Sequence, residues 1–294
     1  MDRRNKKTIM SNKSSKKTQK SPIRKTVKLP KITVLYEDSD IVAINKPAGI
    51  MVHPDGRSEG PFITDWVIKE YPRTKNVGEP SRSPDGTEII RPGIVHRLDR
   101  ETSGVLLIAK TAAGHAFLKK QFQDRTIKKK YVAFVWGDLK EEFGTITRPI
   151  GRSGSDFRRY SASRGSRGIE REAETYWTRL ATAIVPVKLN GVSSGRDKDA
   201  TESKQRFTLM EAEPKTGRTH QIRVHFSAIQ HPVVGDILYA PNRPMMLGFE
   251  RTALHARSVE FDTPKGEHVR VEAPLPKDFK DACKETGITT EIGK

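Results

Sequence analysis

The chain has 294 residues, of which 54 are Lys or Arg and 36 are Asp or Glu, a formal net charge of +18. That length suits one large domain or two small ones with a sizeable core. The single cysteine, Cys283, excludes an internal disulfide and a multi-cysteine metal site, and no apolar run approaches the roughly 18 residues that span a bilayer.

The charge is unevenly placed. Residues 1–30 hold eleven basic side chains and one acid, Asp2, a net of +10, which leaves +8 for the other 264 residues. Such an excess points to a polyanion as partner, because each neutralised phosphate releases a counterion. Residues 1–30 are rich in Lys, Ser and Thr and offer too little apolar surface to offset ordering entropy, so they read as a disordered basic tail. They lack the apolar segment of a secretory signal. The near-absence of cysteine fits a reducing cytosol.

Order begins near Ile32. Residues 32–36 and 41–44 read as short strands across the turn Glu37-Asp38-Ser39-Asp40. Residues 62–71 space Ile63, Trp66, Val67 and Tyr71 as a helix does. A polar loop is expected over 74–93, a buried strand over 105–109, and an amphipathic helix over 112–125 with Ala112, Ala116 and Phe117 inward. A further strand is expected over 131–136. Residues 150–169 are rich in Gly, Arg and Ser without apolar period and read as a loop, either solvated or touching phosphates. Strands are expected again over 173–181, 184–189 and 207–212, with a polar insertion over 190–206 as a hairpin extension. A helix is expected over 219–229, carrying Ile222, Phe226 and Ile229 on one face. Strands over 253–261 and 269–273 and a short polar helix with a frayed end over 278–294 complete the chain. Strands dominate without regular βαβ alternation, which predicts an α+β fold around a large antiparallel or mixed sheet.

Four stretches carry candidate chemistry. In "HRLDRETSG" an extended backbone would put Arg97 and Asp99 on one face. A neighbouring cation keeps a carboxylate ionised, and an ionised, positioned aspartate is a nucleophile. A structural Arg–Asp ion pair before a turn explains the same residues equally well. In "KTGRTHQIRVHF" Arg218, His220, Gln221, Arg223 and His225 crowd a helix start. Two arginines beside helical N–H groups suit phosphate. The five-residue spacing of the histidines does not suit a helical zinc pair, so no metal is expected. Tyr131 opens a strand after three lysines, where its ring can pack in the core or stack on a nucleobase. Lys46, before the turn Pro47-Ala48-Gly49, either meets a phosphate or is solvated. No nucleophile elbow, phosphate-binding loop or dinucleotide fingerprint is present.

Taken together these stretches resemble the RluA/RluD family of pseudouridine synthases. The resemblance runs through "VLYEDSDIVAINKPAGIMVHP", "GIVHRLDRETSGVLLIAK", "FQDRTIKKKYVAFVWG", "GRTHQIRVHFSAIQHPVVGD" and "RTALHARSVEFDTP", in that order, over residues 34–279. It implies an isomerase that converts uridine in RNA to its C-glycoside. The implied fold is a mixed, mainly antiparallel sheet with flanking helices and loops and an active-site cleft across it. The implied catalytic residues are Asp99 as the aspartate, Tyr131 as the ring packed on the target base, and Arg223 as the arginine paired with the aspartate. Arg97, Arg218, Lys46 and Leu254 are expected at the RNA or lining the pocket.

The resulting layout is a tail over 1–30, a catalytic domain over 31–280 and a polar end over 281–294. Many relatives of this family carry a small RNA-binding domain first; residues 1–30 are too short and polar to be one. No cofactor is implied, since the reaction is an isomerisation without net redox change. Asp99 would act as nucleophile at the sugar, as the base that starts elimination there, or as nucleophile on the base ring. The expected partner is RNA, with large-subunit ribosomal RNA first and transfer RNA second. The enzyme is expected to be a cytoplasmic monomer without metal or membrane. Two other classes compete. One is a catalytically silent RNA-binding or ribosome-assembly factor, opposed by the intact set Asp99, Tyr131 and Arg223. The other is a carboxylate glycosidase, opposed by the missing second carboxylate.

Overall fold

A computed structural model describes residues 29–55, 58–82, 86, 88–156, 158–162, 166–187 and 203–289. The expectation of a disordered tail over 1–30 lies outside the described residues save for 29 and 30, as do most of the insertion over 190–206 and the frayed end at 290–294.

In chain order the elements are β1 (Thr33–Glu37), β2 (Ile41–Lys46), α1 (Ile63–Glu70), a 3₁₀ turn (Pro72–Asn76), β3 (Ser81–Arg82), β4 (Glu88–Ile89), β5 (Ser103–Ala109) and α2 (Ala112–Asp124). Then come β6 (Lys128–Trp136), β7 (Phe143–Ile146), β8 (Ile150–Arg152), β9 (Tyr160–Ser161), β10 (Arg167–Arg171), β11 (Thr175–Val187) and β12 (Ser203–Pro214). The chain closes with α3 (Gln221–Ala228), β13 (Leu254–Asp262), β14 (His268–Glu272) and α4 (Lys277–Thr286). Among the described residues no helix is long and apolar enough to cross a membrane.

Nine strands form one sheet in the order β1-β2-β5-β13-β6-β12-β11-β7, with β14 also on β13. Every pairing is antiparallel except β5 with β13. The fold is α+β, as expected. Apolar residues on both faces of β2 and β5 explain the layers. Ile41, Ala43, Val105 and Leu107 face α2 through Leu118. Val42, Ile44, Leu106 and Ile108 face α1 through Ile63, Trp66 and Val67. A third cluster, with Phe134, Leu209, Phe226, Phe249 and Phe279, packs α3 and α4 against β6 and β12.

The single parallel junction positions the site. There His255 lies beside Ser103 and Ala256 beside Gly104. Gly104 has φ +112, and a Cβ on it would sit 2.1 Å from the Ala256 carbonyl oxygen. Only glycine permits that approach. It brings the loop that precedes β5 against the start of β6, where Tyr131 pairs with Ala256.

Several elements differ from the sequence reading. Ala112, Ala116 and Phe117 are exposed, and α2 instead buries Gly114, His115, Leu118 and Gln121. Gly114 sets this rotation, because its missing Cβ leaves room for the Asp40 carbonyl that a Cβ would meet at 2.6 Å. The strands expected over 173–181 and 184–189 are one strand, β11, bent by a bulge between Arg179 and Ala181. Residues 203–206 pair with it through β12. The loop expected over 74–93 contains the β3–β4 pair, and that over 150–169 contains most of a second sheet, β10-β8-β9.

Candidate active site

Asp99 lies in the tight loop that enters β5, where the Thr102 N–H donates to the Asp99 carbonyl at 3.1 Å. Two buried cations hold this loop. Lys46 is fully buried, and its ammonium donates to the carbonyls of Pro47, Arg100 and Thr102 at 2.9, 3.1 and 2.8 Å. Arg251 donates to the Glu101 carbonyl at 2.9 Å and the Ser103 hydroxyl at 3.2 Å, while pairing bidentately with Asp278 at the start of α4. The phosphate contact expected of Lys46 is therefore corrected: all three donors are spent on carbonyls and none faces solvent. Burial pulls its pKa down to about 7, against the opposing charges of Asp99 and Glu101.

The Asp99 carboxylate meets α3. Arg223 donates from Nη1 to Asp99 Oδ2 at 3.0 Å. Its Nε and Nη2 donate to the two oxygens of Asp236 at 2.7 and 2.9 Å. Asp236 also accepts from the N–H groups of Leu238 and Tyr239. One guanidinium thus bridges a fully buried carboxylate and one that opens to the cleft, with side-chain exposures of 0% and 18%. This use of the planar fork needs arginine, not lysine. The local Arg97–Asp99 pair considered from the sequence does not form. The partner of Asp99 comes from 124 residues away, and Arg97 is exposed at the cleft rim.

His220 precedes α3 with φ +57, a left-handed conformation uncommon for a non-glycine residue. That backbone turns its ring into the site, with Nε2 3.9 Å from Asp99 Oδ1 and Nδ1 2.9 Å from the Tyr239 hydroxyl. Burial lowers the His220 pKa despite the opposing charge of Asp99. Burial alone would raise the Asp99 pKa. His220, Arg223 and Arg97 overcome that and hold the carboxyl below its ordinary range. Tyr131 is pushed the other way, by burial and then by the charge of Asp99, so it is a neutral phenol at neutral pH.

These groups line a cleft of about 470 Å³. Asp99 is its one acidic residue, against Arg97, Arg125, Lys129, Lys215, Arg218 and Arg223. Tyr131, Leu254 and Ile222 supply apolar wall. Arg218 lines the cleft too, while its Nε donates to the Glu172 carbonyl at 2.9 Å. Gln221 and His225 are structural. Gln221 ties Thr216 and the Arg218 N–H to Glu174 and Thr175, and His225 spans Thr175 and the Arg148 carbonyl. Among the described residues no group of three or more His, Cys, Asp or Glu side chains is placed to hold a metal ion.

The sequence reading singled out neither Asp236 nor Tyr239. Asp236 closes the stretch "HPVVGD", directly after Gly235. That glycine has φ +71, and a Cβ on it would meet the Arg251 carbonyl at 2.1 Å. A glycine forced by close approach and followed by an acid was the available signal. Tyr239 offered none.

Residues 40–228 match the model of the RNA pseudouridylate synthase family. The chain belongs to that family, whose members are isomerases that convert uridine in RNA to pseudouridine. It is 35% identical over 252 residues to the RNA pseudouridine synthase YlyB of Bacillus subtilis (strain 168), covering 85% of this chain and 71% of that protein. It is 31% identical over 260 residues to ribosomal large subunit pseudouridine synthase D of Vibrio parahaemolyticus, covering 84% and 68%. Among solved structures it resembles human RNA pseudouridylate synthase domain containing 1, with a TM-score of 0.59 at 25% identity over 84% of each chain.

Proposed function

We propose that Asp99 is the catalytic carboxylate of this pseudouridine synthase, and that its target lies in large-subunit ribosomal RNA. The observation that carries the first part is the chain Asp99–Arg223–Asp236, which keeps one carboxylate ionised and oriented in an otherwise basic cleft. Support for the second is that the Vibrio relative is a ribosomal large subunit pseudouridine synthase. The catalytic unit spans residues 31–280 and acts as a cytoplasmic monomer without metal, and it needs no redox cofactor, because the reaction moves no electrons to or from an acceptor.

The target uridine leaves its stack at a cost of a few kcal/mol, and stacking on Tyr131 contributes about 1–3 kcal/mol in return. Asp99 initiates cleavage of the glycosidic bond. The freed uracil turns, and its C5 bonds to the sugar C1′. C5 then carries a surplus proton. A neutral Tyr131 hydroxyl accepts it while passing its own proton to the released Asp99 carboxylate, and a proton passes on through water to N1, which lost its bond to the sugar, so carboxylate and phenol are both restored and the ring never has to ionise in advance.

The test is Asp99→Asn, close to isosteric but without the anionic oxygen pair. Pseudouridines are mapped in total RNA with wild type, variant and no protein, alongside RNA affinity. The expected result is no product and unchanged affinity for the variant, with the wild-type site in large-subunit RNA. Substantial product from the variant sinks the role of Asp99. A wild-type site confined to transfer RNA overturns the target.

A further inference from the structure

His220 takes no part in the steps assigned to Asp99 and Tyr131, yet it occupies a costly backbone position. Its φ of +57 is a left-handed conformation that glycine or asparagine takes more readily. An unfavourable backbone that its surroundings hold in place points to function.

The hydrogen bonds around the ring fix where its proton sits. The Tyr239 hydroxyl accepts the Tyr160 N–H at 3.0 Å and lies 2.9 Å from His220 Nδ1. Burial raises the Tyr239 pKa, so the phenol is neutral and has one proton to give. Among the described residues that hydroxyl has no acceptor other than Nδ1. Nδ1 therefore accepts, and a neutral imidazole that accepts at one nitrogen carries its proton on the other. That nitrogen, Nε2, faces Asp99 Oδ1 at 3.9 Å. Oδ1 is the oxygen that Arg223, donating to Oδ2, leaves free. The separation is too long for a hydrogen bond, and contacts of this kind in a substrate-free site tighten when the substrate is bound.

Both arms start at one buried group. Asp236 takes the Nε and Nη2 of Arg223, and its Oδ1 also accepts the Tyr239 N–H at 3.1 Å. One route runs from Asp236 through Arg223 to Asp99 Oδ2. The other runs from Asp236 through Tyr239 and His220 to Asp99 Oδ1. A carboxylate held at one oxygen can still turn about that contact; a donor at the second oxygen fixes its plane.

We infer that His220 is a positioning residue for the isomerisation: its Nε2–H, assigned by the Tyr239 hydroxyl, sets the plane of the Asp99 carboxylate through the oxygen that Arg223 leaves free. This rests on the reading of Asp99 as the catalytic carboxylate. The groups that face the ring are Asp99 and Arg97 from the loop before β5, Arg223 from α3, Asp236 and Tyr239 from the segment after α3, and Tyr160 from β9. Of these, Tyr239 alone bonds Nδ1.

The experiment uses the full chain with His220→Gln, His220→Asn and Tyr239→Phe. Single-turnover pseudouridine formation on saturating total RNA is measured with RNA affinity and melting temperature. The RNA-free protein, isotope-labelled at histidine nitrogen, is titrated by NMR, with the His220 signals identified by their loss in His220→Gln. A glutamine amide can give its carbonyl to Tyr239 and turn its NH₂ to Asp99. Asparagine is too short to reach both but suits the left-handed backbone better. The Asn variant should melt at an equal or higher temperature than the Gln variant and still react more slowly. Its rate is expected on the order of 10²-fold below wild type, the cost of a misplacement of about 1 Å, with RNA affinity held in both. A residue needed only for backbone shape would give the opposite order of rates, so equal rates or that order overturn the proposal. The wild-type ring should carry its proton on Nε2; a proton on Nδ1 overturns the assignment independently of the rates. A donor to Nδ1 favours the neutral ring, so its removal in Tyr239→Phe should move the His220 titration midpoint upward. An unmoved midpoint would show that Tyr239 does not set the tautomer and would overturn the second route. Product from Asp99→Asn would instead remove the catalytic reading, an outcome distinct from each of these.

Discussion

Arg223 answers to two carboxylates at once, and the consequences differ for each of its nitrogens. Nε and Nη2 are spent on Asp236, which leaves Nη1 alone to aim Asp99. Arg223→Lys keeps a positive charge but supplies a point donor in place of the fork. A lysine ammonium at that depth will settle on the fully buried Asp236 and release Asp99. Single-turnover rate on saturating RNA should therefore fall far more than RNA affinity, and full activity would mean that charge alone suffices. Tyr131→Phe asks a different question of the same cleft. The ring and its stacking remain, so affinity should hold. On the proposed relay of the C5 proton, loss of the hydroxyl should lower turnover by about 10²–10⁴-fold, the usual weight of a general acid–base group. A variant within a few-fold of wild type would remove Tyr131 from the proton path.

The element that determines the site's geometry is the loop entering β5. Its carbonyls at Arg100, Glu101 and Thr102 are tied by Lys46 and Arg251, and Gly49 closes on it from the turn after β2. The loop is thus braced from three directions before any substrate arrives, so little ordering is left for the moment of reaction. Lys46→Met fits the space but leaves acceptors dry, at roughly 1–3 kcal/mol for each one left unsatisfied. The expected outcome is a lower melting temperature and slower product formation, with the salt dependence of RNA affinity unchanged. If Lys46 met a phosphate, that slope would fall by roughly 0.7.

At the scale of the whole molecule, two neutral histidines inside the fold, one half-buried and one fully buried, tie stability to pH. His96 accepts the Leu107 N–H at 2.9 Å and stacks on Phe122 at 4.8 Å, and burial pushes its pKa down to about 3. Burial likewise brings His255, beside the Ser103 hydroxyl, down to about 4. For a depressed pKa the stabilisation is complete above the unfolded value, near 6.5. As pH falls below that, the unfolded chain takes up the proton first, and stability drains until the folded pKa is reached. Stability should therefore fall below pH 6.5 by about 1.4 kcal/mol per pH unit for each group, down to about pH 4 for His255 and about pH 3 for His96, and the melting temperature should fall with it. His96→Gln, whose carbonyl can still accept from Leu107, should flatten that decline; an unchanged profile would show that His96 does not carry it.

Much of this was legible before any coordinates. Short apolar runs at β2 and β5, bounded by turn residues, and the scattered helices were sufficient for an α+β sheet, because run length and turn chemistry are local properties. The ordered stretches around Asp99, Tyr131 and Arg223 were sufficient for the family. What stayed hidden depends on contacts between distant residues. Gly114 against Asp40 decided which face of α2 is buried, and the bulge between Arg179 and Ala181 made one strand of two segments. Lys46 reads the same in sequence whether it is solvated or sealed under three carbonyls. Arg97 is the near neighbour of Asp99, yet the charge that holds it comes from Arg223, itself held by Asp236. Spacing along a chain reports which groups can share a face. Which of them lose their water, and which counter-charge they meet when they do, is decided only when the sheet closes around them.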